Sequence, residues 1–394
     1  MHHKFSAYTQ ALAGLPMPQA FVDMEALDAN LHALMKRANG MPIRLASKSL
    51  RSPQLMRYLL QQHPGFQGLL CFHAQEAVCL AKEGFQDLLV AYPTLDPYAI
   101  REVCQSLREG AQITLMVDHK TQVRAIQEVA ATEQVVVPLC MDVDMSMALP
   151  GLHFGVQRSP IRSVEEALAL YAFMVEQPNV RLEGVMGYEA QIAGVVDNKP
   201  GQGLKNQLIR ALKKRSIGQL QQRRKQVVKA LEAQGATLRF VNGGGTGSIE
   251  STREDTSVTE VAAGSGIYSP ALFDYYLGFQ HEPALYFALE VCRQSQPQVA
   301  TCLGGGYVAS GAAGEDKLPV PVWPPGLSLL PHEGAGEVQT PVTGKQVPKV
   351  GEKVFFRHAK AGELAERFNE LVLIRHGQCV GAAQTYRGLG WQFI

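Results

Sequence analysis

Between residues 40 and 265, short apolar runs alternate with longer stretches in which apolar and polar positions recur at helical spacing. Eight runs, at 43–47, 68–72, 88–91, 113–117, 135–141, 182–187, 238–241 and 258–262, predict strands. Amphipathic stretches at 74–82, 98–107, 121–131, 164–175 and 204–233 predict helices between them. Strand–helix alternation repeated eight times over about 220 to 260 residues predicts a (β/α)8 TIM barrel of the α/β class.

Past residue 282 the texture changes. Short strand-like runs at 284–291, 299–302, 353–356 and 371–374 stand among glycine and proline clusters such as Val322-Trp323-Pro324-Pro325-Gly326. That composition predicts a smaller antiparallel β domain. The predicted division is a barrel over 24–282 and a β domain over 283–394, with 17–23 as a candidate extra strand.

Composition narrows the partners. The chain has 394 residues, 37 Lys+Arg against 36 Asp+Glu, a formal charge of +1 and 46% hydrophobic residues. A chain so apolar and so balanced in charge can bury a core, which argues against disorder. It has no global attraction to nucleic acid or an anionic membrane, so the expected partner is a small molecule. The basic stretch at 204–233 lacks interleaved aromatics and is expected to be a solvated helix face. Seven scattered cysteines without a CxxC pair suit reduced core thiols. No apolar run approaches the ~20 residues of a membrane span and the first residues do not resemble a signal peptide, so a cytoplasmic location is expected.

In a barrel of this kind the chemistry belongs at the carboxyl ends of the strands. Lys48 leaves the first predicted strand there. Partial desolvation at such a place favours the neutral amine that a Schiff-base nucleophile needs, and a lysine that merely flanks a strand is the alternative. The seventh run ends in Asn242-Gly243-Gly244-Gly245-Thr246-Gly247 and the eighth in Ala263-Gly264-Ser265-Gly266. Glycines there let the backbone curl so that several N–H groups face one anion, with the Thr246 hydroxyl as a further donor. A lysine opposite a phosphate cradle matches the two ends of pyridoxal 5'-phosphate.

Five segments, in order, carry a resemblance to the pyridoxal-phosphate enzymes of alanine-racemase fold, in particular the D-threonine aldolase and D-serine dehydratase branch. They are Arg44-Leu45-Ala46-Ser47-Lys48-Ser49-Leu50-Arg51; Asp142-Val143-Asp144 with the later Gly155-Val156-Gln157-Arg158; Gly184-Val185-Met186-Gly187-Tyr188-Glu189; the glycine turn from Asn242 to Gly247; and the stretch from Glu260 to Tyr268. The resemblance implies that Lys48 is the Schiff-base lysine, that Arg158 and Tyr188 lie near the cofactor ring, and that the last two segments bind its phosphate. It also implies an amino-acid substrate and a homodimer in which the β domain closes the active site.

One departure stands out. That branch binds a divalent metal through a His-x-Asp or His-x-Cys pair in the C-terminal domain. Here the similar segment reads Arg357-His358-Ala359-Lys360, with His358 in register and Lys360 in the second ligand's place. An ammonium has no lone pair to give a cation. Either Glu363 or Glu366 supplies another ligand, or Lys360 replaces the metal electrostatically; the second alternative is the one expected here. His358 and His332, in Pro331-His332-Glu333-Gly334, are the candidate acid–base groups, with Lys48 and Lys360 the remaining candidate catalytic residues. The resemblance implies a lyase that cleaves D-β-hydroxy amino acids by retro-aldol chemistry. The alternatives are a D-serine or D-threonine dehydratase, a racemase using Tyr307 or Tyr386, and a non-catalytic cofactor carrier, which would not need the β domain.

Overall fold

The computed structural model describes residues 2–149, 151–360 and 362–394. Ala361, between Lys360 and Gly362, lies outside them. The chain divides into two compact units: a barrel unit of residues 35–47, 58–264 and 393–394, and a sheet unit of residues 1–34, 48–57 and 265–392.

The barrel unit holds eight parallel strands: β1 (Ile43–Ala46), β2 (Phe66–Cys71), β3 (Leu88–Val90), β4 (Ile113–Val117), β5 (Val137–Asp142), β6 (Val180–Gly187), β7 (Phe240–Gly243) and β8 (Glu260–Ala263). They pair in chain order and β8 closes onto β1, with Ala263 opposite Leu45. The eight predicted runs and the eight strands coincide except at their ends. β2 begins at Phe66 because the register to β1 slips around Gly68, from Ile43↔Phe66 to Leu45↔Leu69. Gly68 has φ +61, and a Cβ there would sit 2.4 Å from the Asp87 carbonyl oxygen. Only glycine fits such an approach.

The helices begin where the sequence supplies caps. Ser163 Oγ accepts from the Glu166 amide at 3.2 Å, and the Glu166 carboxylate accepts from the Ser163 amide at 3.0 Å. This capping box starts the helix Val164–Val175 and contributes about 1 kcal/mol. The long basic helix Gly203–Ala233 differs from expectation. Its face is not wholly solvated: Arg224 and Lys213 are buried, each against carboxylates. A buried cation persists only with such partners.

At the amino ends of the barrel strands a dense ion network fills the interior. Arg44, 0% exposed, donates to Glu260 from Nε at 2.6 Å and Nη2 at 2.9 Å, and to Asp87 through the carbonyl oxygen at 2.7 Å and Oδ2 at 3.0 Å. Arg239 bridges Asp87 at 2.8 Å and Glu183 at 3.1 Å. These partners hold the Arg44 guanidinium above its ordinary pKa against burial, and hold the Asp87 carboxyl below its own.

In the sheet unit, nine strands form one sheet. Its path runs Ser328–Leu329, Gln339–Thr343, Val299–Leu303, Leu285–Gln296, Gln19–Asp23, Glu370–Arg375 and Gln378–Gln384. Lys353–Arg357 also pairs with Leu285–Gln296, and Val320–Trp323 pairs with Lys353–Arg357. Among the described residues every pairing is antiparallel except that of Gln19–Asp23 with Glu370–Arg375. The helix His2–Ala11 lays Phe5 and Tyr8 on this sheet beside Phe21, Tyr286 and Phe355. Burying each large apolar side chain there contributes about 1.5–3 kcal/mol.

Candidate active site

The carboxyl ends of β3 to β6 surround a cavity of about 270 Å³ in the barrel unit. Tyr92, Asp118, Asp142, Arg158 and Tyr188 line it. The Arg158 guanidinium carbon lies 5.7 Å from the ring centroids of both Tyr92 and Tyr188, within the range of cation–π attraction. Burial pushes the Asp142 carboxyl up to about 7; Asp118 and Asp144 push the same way and Arg158 opposes them. Burial likewise pushes the Tyr188 phenol up to about 12. A flat ligand with an anionic edge suits this arrangement of aromatic faces, one guanidinium and a carboxyl near its neutral form.

The glycine turn after β7 is anchored from behind. The Gly244 amide donates to Glu189 Oε2 at 2.5 Å, and the Gly245 amide to Ser248 Oγ at 3.1 Å. Asn242 is fully buried and its side-chain amide donates to Glu260 at 2.8 Å. In this structure the Gly244 and Gly245 amides and the Asn242 side-chain amide donate to the protein itself. Gly243 ends β7 beside the Arg224 side chain. Gly244 has φ +79, and a Cβ on it would sit 2.8 Å from Thr252 Oγ1. Thr246 is buried, and its carbonyl accepts from Arg37 Nη2 at 2.6 Å. Glu189 is in turn held by Arg224, which also binds Asp255 at 2.6 Å and the Gly187 carbonyl at 3.0 Å. This buried triad is absent from the sequence-based candidates. Glu189 stands in a segment singled out there, but Arg224 is hidden in a helical charge run.

Lys48 lies in the sheet unit, in the 3-10 turn Ser47–Ser49 that follows β1 directly. Its carbonyl accepts from Arg51 Nε at 3.1 Å, and Arg51, at φ +50, pairs with Glu366 at 2.5 Å. Ser49 Oγ and Ser265 Oγ are 3.0 Å apart, which ties the turn after β1 to the residues following Gly264 at the end of β8. Tyr268 is fully buried; its hydroxyl reaches the Leu50 carbonyl at 3.3 Å, and its ring meets His358 edge-on at 6.4 Å.

Beside this turn is a second cavity, of about 280 Å³, lined by Arg51, Tyr307, Ser310, His358, Lys360, Glu363, Glu366 and Arg367 among others. His358 follows the strand Lys353–Arg357 and is 3% exposed. Neither ring nitrogen makes a hydrogen bond of good geometry; the Leu285 carbonyl offers only a weak one. Burial first, and then Arg357, push this imidazole down to about 3. Lys360 Nζ donates to the Ser310 carbonyl at 3.3 Å. His332 lies in an exposed turn and is not among the residues lining this cavity. Of the two tyrosines considered for racemisation, Tyr307 lines the cavity, whereas Tyr386 is buried with its amide bonded to the Arg51 carbonyl at 2.9 Å. Among the described residues no group of three His, Cys, Asp or Glu side chains could hold a metal ion.

The family described as alanine racemase, N-terminal domain, matches residues 22–271. The chain belongs to this family. As a member of the alanine racemase N-terminal domain family, it is 24% identical over 302 residues to the 3-hydroxy-D-aspartate aldolase of Paracoccus denitrificans, covering 73% of this chain and 71% of that protein. The solved D-threonine aldolase of Filomicrobium marinum superposes with a TM-score of 0.81 at 19% identity, covering 96% of each chain. The D-threo-3-hydroxyaspartate dehydratase of Delftia sp. HT23 superposes with a TM-score of 0.79 at 18% identity, covering 95% of this chain and 98% of that one. The alanine racemase-like fold, a closed parallel barrel plus a β-sheet unit, is thus shared with these two solved structures. Among the described residues no helix is long and apolar enough to cross a membrane.

Proposed function

We propose that this chain is a pyridoxal-phosphate-dependent lyase that cleaves D-β-hydroxy amino acids by retro-aldol chemistry, with Lys48 as the lysine that holds the cofactor. The observation that carries the reading is the place of Lys48: directly after β1, in a turn fixed by Arg51 and by the Ser49–Ser265 contact. The residues suited to the cofactor follow the carboxyl ends of other barrel strands, as chemistry in this fold does. Arg158, Tyr92 and Tyr188 fit an aromatic ring with an anionic oxygen, and the phosphate is assigned to Thr246 at the far end of the glycine turn and to Gly264 and Ser265. Bound there, pyridoxal phosphate supplies an electron sink for the bond broken at Cα.

The chain's own residues do the remaining work. Glu189, Arg224 and Asp255 hold the glycine turn in one shape, so that it is formed before the ligand arrives. Tyr268, buried and bonded to Leu50, packs behind the lysine turn. His358 is the one imidazole lining this cavity and is assigned the proton of a substrate β-hydroxyl, though the burial that lowers its pKa makes it a weaker base than a solvated imidazole. Retro-aldol cleavage requires that base. Dehydration requires instead an acid at the same hydroxyl, and the Lys360 ammonium in the same cavity is the observation that favours this second reading.

Purified protein is expected to take up pyridoxal phosphate with a visible absorbance that borohydride abolishes, whereas Lys48→Ala stays colourless. Turnover of D-threonine or D-3-hydroxyaspartate that releases glycine and an aldehyde or glyoxylate fits the aldolase. Release of ammonia and an oxo acid fits the dehydratase. A wild-type protein that acquires no visible absorbance overturns the proposal.

A further inference from the structure

The cavity beside the Lys48 turn has a donor set ill matched to the divalent cation that the family resemblance implies. His358 is its one imidazole. Two positions on, Lys360 presents an ammonium with three donors and no lone pair. Glu363 is committed to its loop: the Ser310 amide donates to one carboxylate oxygen at 2.8 Å and the Ser310 hydroxyl to the other. The Ser310 carbonyl, in turn, accepts from Lys360. Glu366 is paired with Arg51 at 2.5 Å. Hard divalent ions take six or more oxygen ligands, and zinc takes four ligands drawn from Cys, His, Asp and Glu. Nothing near either set is present among the described residues.

The charges agree with the donors. Arg51, Lys360 and Arg367 against Glu363 and Glu366 leave the lining formally at +1 before any ligand enters. A divalent cation would be added to an already positive wall, whereas a carboxylate would neutralise it.

We infer that this cavity works without a divalent cation and takes an anionic side-chain carboxylate of the substrate on the Lys360 ammonium. The inference rests on the proposed function for the identity of the substrate, an acidic β-hydroxy amino acid. The cation-free donor set and the positive lining stand without it. Lys360 is held near Ser310 by one hydrogen bond, so two of its three N–H donors remain to be shared with a ligand or with solvent.

Two measurements on the full-length, cofactor-loaded protein test this without relying on turnover. First, wild type, Lys360→Cys and His358→Ala are equilibrated with manganese and, separately, with zinc, freed of unbound ion, and assayed for metal by atomic spectrometry. Wild type is expected to hold no stoichiometric metal, and Lys360→Cys, which restores a thiolate two residues from His358, to gain about one zinc per chain. One equivalent in wild type that His358→Ala removes overturns the inference; metal that His358→Ala leaves in place is bound elsewhere and agrees with it. Second, calorimetry with D-malate as the probe is expected to give an affinity that a chelator does not change. Lys360→Gln should weaken it about tenfold or more, and Lys360→Arg should largely restore it. Equal affinity in wild type and Lys360→Gln, with both proteins folded by melting, overturns the assignment of the carboxylate. Cofactor uptake is read separately from the visible absorbance, so failure of the proposed function and failure of this inference give different results.

Discussion

The two ends of the barrel use charge in opposite ways. At the amino ends, Arg44, Asp87, Glu183, Arg239 and Glu260 satisfy one another within hydrogen-bond reach. At the carboxyl ends, among the described residues, neither Asp142 nor Arg158 makes a salt bridge, although both line one cavity. Asp142 is left with a carboxyl near neutrality, and Arg158 leans on two tyrosine rings. The same residue types thus satisfy one another at the amino end, whereas around the β3–β6 cavity, beside the paired Glu189, Arg224 and Asp255, they are left to be completed by a ligand. In barrels of this class the first end carries stability and the second carries chemistry.

The sharpest way to break that comparison is Arg44→Met. It leaves the buried Glu260 and the half-buried Asp87 with lost partners, which should cost about 3–5 kcal/mol and lower the melting temperature by roughly ten degrees. An unchanged melt would mean that the network does not secure the amino end. At the other end, Arg158→Met should slow turnover about 100-fold or more while moving the melt by about 1 kcal/mol at most, since an exposed cation–π contact contributes little. A melting loss equal to that of Arg44→Met would erase the distinction between the ends.

The smallest effect concerns pH. The Asp142 carboxyl sits at about 7 in the fold against an ordinary value of 3.8. Between those values the unfolded chain is ionised while the folded one retains the proton, so wild type loses stability as pH rises through the window. Asp142→Asn has no such ionisation and should gain on wild type progressively from pH 4 to pH 7. Melting curves across that range check it; a constant difference would return Asp142 to an ordinary carboxylate and weaken the contrast.

What can be read from the sequence follows the range of the interactions. β1 to β8 are legible because each announces itself within a few residues, and so is the position of Lys48 at the end of one of them. The glycine turn is legible as a turn, but its role depends on Glu189, 55 residues earlier, which takes the Gly244 amide. Arg44 and Glu260 meet across 216 residues, and no local pattern links them. Arg224 looks like its solvated neighbours on a basic helix, and only the tertiary fold turns it inward. His358 is visible as a candidate, yet its isolation from other ligands depends on how Ser310 and Arg51 engage the nearby glutamates.

The way the chain threads the two units has a practical outcome. It passes from one to the other between residues 34 and 35, 47 and 48, 57 and 58, 264 and 265, and 392 and 393. No single cut of the backbone releases either unit whole. The proposed cofactor lysine comes one residue after such a passage, while the strand that precedes it belongs to the other unit. Such a protein is poorly suited to modular exchange: a recombination that swapped only the stretch after residue 282 would sever pieces of a single sheet, so inheritance is expected to keep the two units together.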